Sequence, residues 1–129
     1  MLKPAAPFAA ALIALAPAAA ALAQPTVVDL DTAVRCSAAF GIVAAEQARG
    51  TAGARAYPPL AQRGREFFVQ TGARLMDEQK LTRPQVQERM KAEVEGLQRK
   101  AAASADPAGA MRAVMTPCLA LLDATLPAR

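Results

Sequence analysis

Two cysteines, Cys36 and Cys118, offer the widest range of chemistry in this sequence. A thiol can serve as a nucleophile, a metal ligand, a redox partner or half of a disulfide. The chain contains no histidine, so a cysteine or serine nucleophile would lack its usual base. Two cysteines do not complete a metal site, and redox pairs are more often spaced C-x-x-C. We therefore predict a structural Cys36–Cys118 disulfide, with an intermolecular disulfide as the alternative.

Carboxylate pairs are the remaining candidates for acid–base catalysis, as in glycoside hydrolysis. The acidic residues considered for such a pair are Glu66, Asp77, Glu78 and Asp123. A sugar site usually also offers aromatic platforms, whereas this chain has no tryptophan and one tyrosine. It contains no C-x-x-C-H, P-loop or G-x-G-x-x-G motif. We expect a protein that is not an enzyme and that uses neither cofactor nor metal.

The stretch RAYPPLAQRGREFF, residues 55–68, is the most distinctive segment for binding a partner. It combines a proline-stiffened loop with Tyr57 and three arginines, Arg55, Arg63 and Arg65. Tyrosine and arginine are enriched at interface hot spots, so these four residues form a candidate recognition patch. The competing interpretation, which we favour, is structural: the tyrosine closes the core beneath the loop and the arginines form a solvated helix face.

The N-terminus, MLKPAAPFAAALIALAPAAAALAQP, has the layout of a secretory signal: one cation, an apolar run and an A-x-A site. We predict a signal peptide at residues 1–23 and a single helical domain at residues 24–129, located in the periplasm. An uncleaved membrane anchor is the alternative. The net charge of +4 contains no basic block, so we expect no nucleic-acid binding and at most peripheral membrane contact.

Helical periodicity recurs along the chain, and no alternating strand pattern of useful length competes with it. The first helix is predicted to begin at Asp29 or Asp31 and to end near Gly50. Glycines and a Pro-Pro pair in residues 50–59 predict a connector that breaks regular structure. The predicted fold is all-α, a bundle of four to five helices stapled by one disulfide between the first and last helices.

A second helix is predicted from about Pro59 to Asp77, with a break or kink near Gly72. The third has the clearest start signal, because Thr82 and Gln85 have the spacing of a capping box.

The last helical segment is predicted to start with Asp106 as its N-cap and Pro107 in its first turn. Further along, Pro117 must kink the helix or start a new one with Thr116 as its cap. Both cysteines fall on apolar helical faces, which fits a bridge between the first helix and the last.

The signal, the size, the helices and the single bridge resemble the small all-helical, single-disulfide proteins secreted by bacteria. The periplasmic acid-stress chaperones are the best-known members of that class. The resemblance covers architecture alone and implies no functional residue, because the cysteine separation is wider here and the chain lacks histidine.

Three functions follow as hypotheses. The leading one is a non-enzymatic periplasmic interaction module that binds another periplasmic protein, with homo-oligomers left open. The first alternative is a holdase-type stress chaperone that exposes Met- and Phe-rich surface. The second alternative is an envelope-associated structural protein that contacts lipid or peptidoglycan.

Overall fold

The structure is a computed structural model that describes residues 27–127. All regular secondary structure in that range is helical, which confirms the all-α prediction. The elements are α1 (Leu30–Ala48), a 3-10 helix (Ala52–Ala56), α2 (Arg63–Gln79), α3 (Arg83–Ala103) and α4 (Pro107–Thr125). The predicted signal peptide lies outside the described residues. None of the described helices is long and apolar enough to cross a membrane.

The first helix begins at one of its two predicted caps. The carboxylate of Asp29 accepts hydrogen bonds from the Thr32 hydroxyl at 2.7 Å and the Thr32 backbone N–H at 2.9 Å. These bonds lower the pKa of Asp29, because they stabilise its ionised form. Since the folded pKa is depressed, the stabilisation is present above the unfolded pKa and is lost as the pH falls through the folded one.

Helix α1 is the central element, since it contacts the 3-10 helix and all three other α-helices. The main core surrounds its middle, where Phe40 packs with Phe67 of α2 and Leu122 of α4. A second cluster lies near its N-terminus and joins Val34 to Leu75 and to residues of α3. Alanines between these side chains let the neighbouring helices approach closely.

The predicted disulfide is confirmed. Cys36 of α1 and Cys118 of α4 are joined, with their Cα atoms 5.2 Å apart and a sequence separation of 82. Both side chains are buried within the main core. The bridge therefore links the first α-helix to the last across the centre of the bundle.

Helix α2 differs from its prediction at two points. It begins at Arg63 rather than Pro59, and it continues through Gly72 without a break. Its glycine at position 64 is explained by packing, because a Cβ there would lie 3.1 Å from the Cβ of Phe40. The close approach of α1 and α2 at Gly64 offsets the helix-propensity cost of about 1 kcal/mol.

The starts of the last two helices agree with the sequence. The Thr82 backbone N–H donates to Gln85 Oε1 at 2.8 Å, and the Gln85 N–H donates to Thr82 Oγ1 at 3.4 Å, which completes the capping box. Asp106 caps α4 by accepting from the Gly109 N–H at 2.9 Å, with Pro107 in the first turn. Each cap satisfies backbone donors that a helix leaves unpaired at its start.

Helix α4 is continuous through Pro117, so the predicted new helix with a Thr116 cap is wrong. The Thr116 hydroxyl instead donates back along the same helix to the Arg112 carbonyl at 3.0 Å. Pro117 removes one backbone donor. Its position is exposed, so water can bond to the carbonyl that loses its partner.

Candidate functional site

Three of the four residues in the predicted recognition patch have partners within the fold. Tyr57 is half-buried and packs against the main core, and Arg55 donates to the Gly50 carbonyl at 3.4 Å. Arg63 donates to the Asp123 carboxylate at 2.8 Å and to a backbone carbonyl at the end of α4 at 2.6 Å. These contacts join the connector and α2 to the rest of the bundle.

The fourth patch residue, Arg65, has a different environment. It is exposed in the first turn of α2, one turn before Phe68. It forms no ion pair with any carboxylate among residues 27–127. Arg55 also pairs with no carboxylate among these residues, but it donates to a backbone carbonyl, so Arg65 is the patch arginine that has neither contact.

Sequence reasoning missed Gln47, which organises the connector. Its Nε2 donates to the carbonyls of Ala54, Tyr57 and Pro58 at 3.2, 3.2 and 2.9 Å, and its Oε1 accepts from the Leu60 N–H at 3.1 Å. An amide is suited to this position because it carries both donors and an acceptor. The available signal was a polar residue that continues the apolar stripe of α1 into its last turn.

Changing Gln47→Glu should lower the free energy of unfolding by about 2 kcal/mol, because a carboxylate cannot donate to the three carbonyls that face it. Urea unfolding measures the loss, and limited trypsin digestion at Arg55 should accelerate as the connector loosens. The matched control is Gln98→Glu on the exposed surface of α3, which makes the same chemical change without these contacts. Equal stability of the two variants would contradict the role given to Gln47.

One face of α2 exposes apolar side chains. Phe68, Val69 and Met76 are 39%, 61% and 38% exposed. At 3.6 residues per turn, their spacing places them within an arc of about 100° around the helix, next to the buried side that carries Phe67 and Leu75. We call Phe68, Val69 and Met76 the α2 face. Clusters of exposed apolar residues frequently mark interaction surfaces.

A groove of about 350 Å³ runs beside this face, between α1 and α2. Its α1 side is formed by Ser37, Gly41 and Ala44, and its α2 side includes Arg65 and Phe68. We call this depression the α1–α2 groove. A Cβ added at Gly41 would meet no atom within 4 Å, so the space above that glycine is open.

The α1–α2 groove also contains an orphaned polar group. The side chain of Ser37 is buried, and its Oγ has no hydrogen-bond partner within residues 27–127. A buried hydroxyl without a partner costs about 1–3 kcal/mol. The groove therefore combines small apolar walls with one unsatisfied hydroxyl and one unpaired cation.

Two other grooves lack that combination of free polar groups. The larger, about 530 Å³, includes Phe67 and Leu121 in its wall, and its charged residue Arg74 is paired with Glu78 at 2.8 Å. The smaller, about 290 Å³, lies beside the disulfide, where Arg35 is 3.7 Å from a carboxylate oxygen of α3. Both present mainly apolar surface.

The acidic residues considered for catalysis lie on the surface of the bundle. Glu66, Asp77, Glu78 and Asp123 are all exposed, and the last two are paired with arginines. Within residues 27–127, no group of three His, Cys, Asp or Glu side chains has a metal-binding arrangement.

Comparison with known proteins gives no relative: no family model, no curated protein and no solved structure matches this chain. The class of the protein is therefore defined by its own fold, a disulfide-linked bundle of α-helices. Within residues 27–127, exposed apolar side chains and free polar groups occur together at the α2 face and the adjoining α1–α2 groove.

Proposed function

We propose that the chain is a non-enzymatic interaction module of the bacterial periplasm that binds another protein through the α2 face. One observation carries the proposal. Of the four large apolar side chains that are exposed within residues 27–127, three lie together on this face: Phe68, Val69 and Met76. Burying them against a partner would release about 25 cal/mol for each Å² of apolar surface removed from water.

The location rests on two features. The N-terminal pattern of a cation, an apolar run and an A-x-A site supports export. The Cys36–Cys118 disulfide supports an oxidising compartment, because such bonds are rare in the bacterial cytosol. A bridge between the first and last helices also favours a preorganised binding face, which reduces the entropy lost on association.

The absence of catalysis is proposed from the residue inventory. The sequence has no histidine, its candidate carboxylates are exposed, and two of them are paired with arginines. A site that moves protons or attacks a substrate would instead need titratable groups held within hydrogen-bond reach of one another.

The test is crosslinking capture of the tagged mature protein in the periplasm of its own cell, read by mass spectrometry. The double variant Val69→Asn/Met76→Gln removes exposed apolar surface from the α2 face. The matched control is Val27→Asn, since Val27 is 79% exposed and lies outside α2. We expect one dominant partner that is captured by the wild type and the control but lost from the double variant.

Two other outcomes would contradict the proposal. A broad set of unrelated clients that grows under acid or heat would indicate a holdase-type chaperone. Salt-sensitive pelleting with membranes, without a protein partner, would indicate an envelope-associated structural role.

A further inference from the structure

We infer that the α1–α2 groove receives an amphipathic helix of the partner protein, and that a carboxylate on that helix pairs with Arg65. This inference rests on the proposed function and specifies the chemistry of its partner. It is carried by the juxtaposition of three features in one groove: open small-residue walls, the unpaired Arg65 and the buried, unpartnered Ser37 hydroxyl.

The shape of the groove favours a helix as its occupant. Gly41 and Ala44 lie one turn apart on α1, and Ala61 faces them from the segment that leads into α2. Small side chains let two helix backbones approach closely, with larger side chains inserted between them. Phe68 then offers an aromatic wall at the edge of the contact.

The groove offers too few free hydrogen-bonding groups to suit an extended strand. A strand entering the groove would bring several backbone N–H and C=O groups that need partners. The residues named above offer one free hydroxyl and one guanidinium for that purpose. A helix satisfies its own backbone, so it needs only a side-chain carboxylate to meet Arg65.

The charge of the groove selects an acidic helix. Arg65 is exposed beside the groove and pairs with no carboxylate among residues 27–127. Its guanidinium can bind a carboxylate through two parallel hydrogen bonds. The nearby α1 residues Ser37, Gly41 and Ala44 are uncharged, so no acidic side chain of α1 competes in this wall.

The probes are three 18-residue amphipathic helical peptides with a Leu/Ala face and a single Glu, Gln or Lys at the edge of that face. Fluorescence anisotropy with the mature, disulfide-bonded protein measures their affinities. We expect the Glu peptide to bind at least tenfold more tightly than the Lys peptide. Arg65→Glu should reverse that order, whereas Arg112→Glu, an exposed change on α4, should leave it unaltered.

The variants are chosen so that the fold survives. Arg65→Glu places an acidic residue in the first turn of α2, which complements the helix dipole. Gly41→Leu projects into open space and improves helix propensity, and it should abolish binding of every peptide by filling the groove. Ser37→Ala should not lower the melting temperature, because it removes a buried hydroxyl that has no partner.

Several results would overturn the inference: no binding of any peptide by the wild type, the same preference in Arg65→Glu, or undiminished binding in Gly41→Leu. Binding of laurate in place of the peptides would identify a fatty-acid site. A wild-type dimer that Gly41→Leu dissociates, as seen by sedimentation, would identify a second copy of this chain as the occupant. If capture still finds a partner that needs Val69 and Met76, the proposed function stands while the groove assignment falls.

Discussion

Reduction of the Cys36–Cys118 disulfide is expected to lower the free energy of unfolding by about 4 kcal/mol and the melting temperature by about 20 °C. The bond spans 82 positions, so its loss frees most of the domain's chain in the unfolded state. Chain entropy makes such long loops the most stabilising to close, and a small domain has only about 5–15 kcal/mol in total. Thermal unfolding followed by circular dichroism, with and without reductant, measures the effect.

The contribution of the crosslink can be separated from that of packing. Reduction keeps both sulfur atoms in the buried core, whereas the double variant Cys36→Ala/Cys118→Ala removes them. If the crosslink dominates, reduction alone reproduces most of the loss seen in the double variant. A reduced wild type that melts like the oxidised protein would contradict this account, as would two alkylatable thiols in the exported protein.

The starts of α1, α3 and α4 could be predicted from sequence because capping is local. Asp29, Thr82 and Asp106 each accept a hydrogen bond from a backbone N–H three residues later, so the information lies within one turn. The cysteine pairing was also predictable, since two cysteines permit a single intramolecular bridge.

The connector was predicted, but its end and its path were not, because distant contacts determine them. The prolines suggested that α2 starts at Pro59, yet the Leu60 N–H is held by Gln47 Oε1 from the last turn of α1. The helix therefore begins only at Arg63, after the segment that is hydrogen-bonded to the Gln47 side chain. The glycines and prolines predicted an irregular connector, but part of it, Ala52–Ala56, forms a 3-10 helix.

Two expected helix breaks failed for related reasons. Tertiary packing keeps α2 intact at Gly72, where a Cβ would be in ordinary contact with Val86 of α3 at 3.6 Å. Pro117 is tolerated within α4 because its position is exposed, so water can bond to the carbonyl that loses its backbone partner. Local propensity predicts that glycine and proline interrupt a helix, but packing against neighbouring helices and bonds to water determine whether the helix continues.

The sequence showed some of the residues of the candidate site, but not how they are arranged in space. Arg65 and Phe68 were visible as members of a distinctive stretch, but periodicity could not show which arginines would be paired. Arg63 meets Asp123, 60 positions away, and Arg65 meets no carboxylate among the described residues. The open space above Gly41 depends on how α1 and α2 pack against each other, which the sequence of neither helix alone determines.

Phe40→Ala is the substitution expected to destabilise the core most, by about 4 kcal/mol. Phe40 is fully buried in the middle of α1, and its ring meets Phe67 edge-on with centroids 5.3 Å apart. The cavity cannot collapse easily, because the contact at Gly64 and the disulfide at Cys36 hold the surrounding helices in place. Urea unfolding of the oxidised protein measures the loss.

The matched control for Phe40→Ala is Phe68→Ala, which deletes the same ring from a position that is 39% exposed. We expect it to cost less than about 1 kcal/mol, because much of that ring already contacts water and leaves no closed cavity. It should nevertheless weaken binding at the α2 face, whereas Phe40→Ala should act first on stability. Similar unfolding free energies for the two variants would show that the main core is not organised around Phe40.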